Sequence, residues 1–259
     1  MHFSNYTIKK KFLVYFFILF IILIWYFLRE RQNPNNSPSE QSIAGQKIFS
    51  QDAETKIYFL DVGQGDAVLI KFANNEKMLI DCGANTGVIE ALGRVLPFGD
   101  RQIDHLLVTH PDLDHYGGCV DVLQRFTVKN FLYSGIRKDT DNFFREFWLQ
   151  LESEQAQMQI IDREYVWNVA DANLQFLFPD KPLPIDLRDV NAGSVILKMS
   201  IGKSDVLFMG DADLNTENYL LEKYGAVLDV ELLKVGHHGS ATASSEDFLR
   251  ATSPDFAII

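Results

Sequence analysis

Three short apolar segments of this chain run straight into histidine or aspartate. They are HLLVTH at 105–110, DVLFMG at 205–210 followed by Asp211, and LDVELLKV at 228–235 followed by Gly236-His237-His238. Apolar runs of this length, bounded by glycine, proline and polar residues, read as buried strands. KIYFLDV (56–62) and AVLIKF (67–72) flank a tight Gly63-Gln64-Gly65-Asp66 turn, and KMLIDC (77–82) follows, so this opening is an antiparallel meander. NFLYS (130–134), NLQFLF (173–178) and SVILKMS (194–200) are further strands. Helical spacing covers 86–96, the stretch from Gly118 to Phe126, 141–156 and 214–224. Hairpins followed by strand–helix alternation predict an α/β domain whose sheets are covered by helices on their outer faces.

Ahead of this domain stands an unbroken apolar run, residues 12–28, beginning at Phe12 and closing at Leu28. It is long enough for a short bilayer-crossing helix, with Trp25 and Tyr26 near its far end. A cleaved secretory signal would also begin with charge, but Arg29, Glu30 and Arg31 stand where a small-residue cleavage site would be needed. We therefore expect residues 1–31 to be an uncleaved single-pass anchor, with the membrane as its partner. Lys9, Lys10 and Lys11 place the N-terminus inside and the large domain outside the cytoplasm. Residues 32–54, rich in Asn, Ser, Pro and Gln at their start, read as a flexible linker, and 55–259 as one folded domain.

The chemistry lies in three segments. His110-Pro111-Asp112-Leu113-Asp114-His115 packs two imidazoles and two carboxylates into six residues after a buried strand. Nitrogen and carboxylate donors at that density suit Zn²⁺, or Mn²⁺ where oxygen dominates. A helix cap at Asp114 is the competing explanation, and it accounts for one carboxylate and neither histidine. His237 and His238 stand between glycines at the same relative place on another strand, and Asp211 ends a third. An aspartate after glycine is on its own an ordinary turn residue or cap. Taken together, His110, Asp112, Asp114, His115, Asp211 and His237 are enough donors for two divalent ions. A two-metal site supplies hydroxide near neutral pH and stabilises charge on an ester or phosphoryl oxygen.

Charge bears on the substrate. The chain has 24 Lys+Arg against 35 Asp+Glu, a net charge of -11. That excludes a module held to nucleic acid by phosphate neutralisation alone. Bound cations would neutralise an anionic substrate locally. Two cysteines, Cys82 and Cys119, make neither a disulfide framework nor a Cys-rich zinc site, and read as small buried hydrophobes. An outward-facing domain would also allow them to pair.

DVGQGDA (61–67), LIDCG (79–83), THPDLDHYGG (109–118), NAGSVILKM (191–199), FMGDAD (208–213) and LLKVGHHGS (232–240) occur in an order that resembles one family. It is the metallo-β-lactamase-fold hydrolase domain of ComEC-type competence proteins and their stand-alone relatives. The resemblance implies a four-layer αββα sandwich, two metal ions (Zn or Mn) at the shared edge of its sheets, and hydrolysis of a phosphodiester such as DNA. It carries His110, Asp112, Asp114, His115, Asp211 and His237 onto metal positions. Asp114 and Asp211 are expected to be catalytic as well. Asp81 matches an acid that orients ligands, and Asp66 and Asn191 match polar positions lining the site. His238 is expected to support the site, so that replacing it matters less than replacing His237. Asp112 stands where the wider superfamily has histidine, which favours a harder ion. A histidine before the bridging aspartate is replaced by Asn191-Ala192-Gly193-Ser194, and the chain stops at Ile259 within an expected strand, so one ion is expected to bind weakly. The alternatives are a hydrolase of a small ester, lactam or choline-phosphate diester, and a binding module without turnover.

Overall fold

Why the strands stack into layers is visible in their period-two alternation. The computed structural model describes residues 54–185 and 187–259. The expected anchor and all but the last residue of the expected linker lie outside them. Among the described residues, no helix is long and apolar enough to cross a membrane. The first sheet holds β1 (Lys56–Phe59), β2 (Val68–Lys71), β3 (Lys77–Ile80), β4 (Gln102–Val108), β5 (Thr127–Tyr133) and β6 (Gln157–Ile160), in that spatial order. The second holds β7 (Tyr165–Val169), β8 (Ala172–Phe178), β9 (Ile196–Ile201), β10 (Ser204–Phe208), β11 (Leu232–Lys234) and β12 (Phe256–Ile258), with neighbours in chain order. β1 to β3 form the expected antiparallel meander, while β3 to β6 run parallel.

Successive residues point to opposite faces, so Leu79 and Leu106 face one core while Met78, Ile80 and Leu107 face another. The first set packs under helices α1 (Gly87–Val95), α3 (Cys119–Arg125) and α4 (Asn142–Glu154). The second meets Leu174, Phe176, Leu197, Met199 and Phe208 of the other sheet. Ile196, Leu207 and Leu233 turn outward beneath Leu220 of α5 (Leu214–Tyr224) and Phe248 of α6 (Glu246–Thr252). The order helix, sheet, sheet, helix is the αββα sandwich expected. Each fully buried Leu or Ile contributes roughly 1.5–3 kcal/mol to holding it.

The structure departs from the sequence reading in places with physical causes. LDVELLKV is a strand only over Leu232–Lys234, and Gly225–Leu228 is a 3₁₀ turn. The buried Lys198 ammonium takes the Val227 and Asp229 carbonyls at 2.6 and 3.2 Å, which removes them from any ladder. β6 is an edge strand with all four residues exposed, so it leaves little hydrophobic signal. Cys82 and Cys119, read as separate small hydrophobes, are joined in a disulfide with Cα atoms 5.2 Å apart.

Candidate metal centre

β3, β4, β10 and β11 all end at one rim, and the residue or loop after each carries a functional side chain. Two contacts hold the rim together: the Val195 N–H donates to the Thr109 carbonyl at 2.9 Å, and the His237 N–H to the Gly210 carbonyl at 3.0 Å. Neither competing use of the carboxylates occurs. The cap position of the short helix α2 (Leu113–Tyr116) is Asp112, which makes no side-chain cap bond, and α5 is capped by Asp213, leaving Asp211 free.

Asp211 sits at the middle with imidazoles on both of its oxygens. Oδ1 lies 3.1 Å from His115 Nε2 and 3.5 Å from His238 Nε2. Oδ2 lies 3.8 Å from His110 Nε2 and 3.9 Å from His237 Nε2. Asp114 Oδ2 is 3.4 Å from His238 Nε2. Three sets of groups come close enough to share an ion: His110, His115 and Asp211; Asp114, His115 and His238; and Asp66, Asp211 and His238. Asp112 and His237 are in none of them. Asp112 pairs instead with Lys138, and His237 turns its Nδ1 to Thr242 Oγ1 at 3.1 Å. Asn191 opens a 3₁₀ turn, and no side-chain bond links it to the cluster among the described residues.

Supporting contacts fix the rings. Asp81, fully buried and in the left-handed region (φ 56), accepts from the Thr109 N–H at 2.8 Å and hydroxyl at 2.7 Å. Its Oδ2 is 2.9 Å from His115 Nδ1, which leaves Nε2 of that ring facing Asp211. Asp66 stands between the buried Lys234 ammonium at 2.8 Å and His238 Nδ1 at 3.3 Å. The Ser194 hydroxyl accepts from the Asp211 N–H at 3.0 Å. Thr109, Ser194, Lys234 and Lys138 escaped the sequence reading. A lysine inside the apolar run LLKV was the one available signal among them.

Electrostatics follow from this crowding. Burial opposes charge on His115, but Asp81 and Asp211 at its two nitrogens outweigh it and push its pKa up to about 10. Asp114, Asp211 and Asp66 push His238 up to about 12. Burial would raise Asp211, yet hydrogen bonds from His115 and His238 hold it far below the usual carboxylate range. Burial, reinforced by the charge on His115, keeps His110 well below its ordinary value and hence neutral.

His110 Nε2 is buried with no hydrogen-bond partner. A neutral imidazole nitrogen without a partner, beside an ionised carboxylate oxygen, is a donor set that a divalent cation completes. The residues therefore fit a divalent metal, with His110, Asp114, His115, Asp211 and His238 placed to hold it.

Comparison with known proteins agrees. The family model described as Metallo-beta-lactamase superfamily matches residues 60–259. Competence protein ComA of Neisseria gonorrhoeae is 32% identical over 209 residues, covering 79% of this chain and 27% of that protein. ComE operon protein 3 of Bacillus subtilis is 27% identical over 226 residues, covering 80% of this chain and 28% of that protein. This chain thus spans about a quarter of the length of these curated relatives. The beta-lactamase from Chitinophaga pinensis shares the fold, with a TM-score of 0.50 at 13% identity over 83% of this chain and 95% of that one. Fold, rim and relatives agree: the chain belongs to the metallo-β-lactamase superfamily, whose members are generally metal-dependent hydrolases and whose fold implies divalent metal binding.

Proposed function

We propose that this domain is a metal-dependent phosphodiesterase acting on DNA, held at the outer face of a membrane by residues 12–28. The observation that carries the reading is Asp211, a buried carboxylate with imidazoles facing both oxygens. That placement supports two adjacent cations, His110 serving one side and His115, His238 and Asp114 the other. When bound, such ions acidify water near neutral pH and polarise a phosphoryl oxygen. The protein's own groups do the rest. Asp81 and Thr109 fix the His115 ring, Asp66 and Lys234 fix the His238 ring, and Ser194 fixes the backbone of Asp211. The mixture of imidazole and carboxylate donors suits Zn²⁺ or Mn²⁺. The motifs' resemblance to the hydrolase domain of competence proteins is what favours DNA as the substrate. Outward placement is supported by the Cys82–Cys119 disulfide, a bond rare in reducing compartments.

The test compares single-stranded DNA, bis-p-nitrophenyl phosphate and a β-lactam, each with Mn²⁺ or Zn²⁺. Cleavage of both phosphodiesters and not the lactam is expected. Hydrolysis of the lactam alone overturns the substrate, and no hydrolysis with either ion overturns the enzyme. Protease added to intact cells should reach the domain; full protection would reverse its orientation.

A further inference from the structure

Among the described residues, two lysines pair with aspartates at the rim, and they differ in kind. Lys234 is buried, closed in between Asp66 and the Val235 carbonyl. Lys138 stands at the mouth, its side chain 33% exposed and paired with Asp112 at 36%. The remaining partly exposed groups of the cluster are Asp114, His237 and His238. An anion approaching this rim therefore meets one accessible lysine.

The loop bearing Lys138 is pinned on both sides. Ile136 is buried, its Cδ1 occupying the place where a Cβ on Gly193 would fall 2.0 Å away. Arg137 stacks 4.0 Å over the Trp148 ring, pairs with Asp139 and donates its N–H to the Ile185 carbonyl. The Lys138 carbonyl accepts from the N–H of Asp141, the residue that caps α4. A lysine on a fixed backbone loses less freedom on gripping a ligand than one on a loose loop.

Resting on the phosphodiester reading, we propose that Lys138 is the substrate-anion grip of this site. Its ammonium takes a non-bridging oxygen of the phosphodiester and holds that group against the imidazole–carboxylate rim. Asp112 is its resting partner: the ion pair keeps the ammonium at the mouth until a stronger anion, or a cation claiming Asp112, frees it. In a domain with an acidic excess, this single lysine selects a charged diester over the bulk field that repels it.

The test uses the full-length chain in detergent, loaded with Mn²⁺, and bis-p-nitrophenyl phosphate as substrate. Lys138→Ala should raise KM about tenfold while kcat stays within about threefold, the pattern of lost uniform binding. Lys138→Glu should raise KM further, and Lys138→Arg should restore most of it, because the charge returns with a different shape. Metal content per chain should equal that of the wild type in all three. An unchanged KM, a fall in kcat alone, or a parallel loss of metal overturns the assignment while the phosphodiesterase reading stands. A wild-type chain that cleaves no diester overturns both.

Discussion

Two glycines two positions apart separate backbone strain from collision at the site. Gly63 and Gly65 share the left-handed region, with φ of +84 and +88, in the turn between β1 and β2. A Cβ at Gly63 meets nothing within 4 Å. A Cβ at Gly65 would fall 1.8 Å from the Asp114 carbonyl oxygen and 2.8 Å from the Asp114 Cβ, where contacts below 3.0 Å are not tolerated. Gly63→Ala therefore carries only the conformational cost, about 1–2 kcal/mol. At roughly 2–4 °C per kcal/mol for a domain of this size, its Tm should fall by about 2–8 °C. Gly65→Ala carries the same cost and must also push the Asp114 backbone away by more than about 1 Å, breaking the 3.3 Å bond from the Asp66 N–H to the Asp114 carbonyl. A displacement of that size at a reacting centre costs on the order of 10²-fold in rate. Thermal melts and diester hydrolysis of both variants, at equal metal loading, give the answer. Equal activity in the two would refute the claim that the Gly63–Asp66 turn positions Asp114.

Other expectations are similarly direct. His238→Ala should weaken metal binding more than His237→Ala, because His238 Nε2 is within 3.5 Å of both Asp114 and Asp211 whereas His237 comes no closer than 3.9 Å to Asp211; calorimetric titration decides, and the reverse order would restore His237 as the stronger ligand. Metal affinity should rise with pH between 6 and 9, since the metal-free site holds protons on His115 (pKa about 10) and His238 (pKa about 12) that a cation must displace. The sign is fixed by the raised values, which keep those protons bound throughout this range. A flat profile would contradict the crowding of carboxylates around the rings. Reduction of Cys82–Cys119, which closes a 37-residue separation, should cost about 3–4 kcal/mol and lower Tm by on the order of 10 °C. Melts with and without reductant that coincide would show that the bond does not form.

What could be read from the sequence, and what could not, divides by range. The positions of His110 and Asp211 were legible because apolar strands stop just before them, and those of Asp114 and His115 because they follow His110 within a few residues of the same turn. Helix α5, expected over 214–224, is observed over Leu214–Tyr224, since Asp213 caps it and its apolar spacing is regular. The choice between His237 and His238 was not legible. Both residues occupy the left-handed region, with φ of 47 and 50, and it is the approach of Asp66, Asp114 and Asp211 from distant parts of the chain that draws the His238 ring inward. Asp112 was read by spacing as a ligand, but an ion pair with Lys138 from a distant loop holds it outside the cluster. The cysteine pairing likewise depends on a tertiary approach. Gly118 passes so near Cys82 that a Cβ there would fall 2.2 Å from the Cys82 carbonyl, and periodicity carries no trace of that contact.

Elemental analysis of the purified protein, beside its Asp211→Asn variant, reaches the central claim in one step. A carboxylate serving two ions should give about two divalent metals per wild-type chain, with the variant losing at least one of them. Fewer than one metal per wild-type chain, or a variant that keeps its full complement, would show that these imidazoles and carboxylates gather for some purpose other than holding a pair of cations.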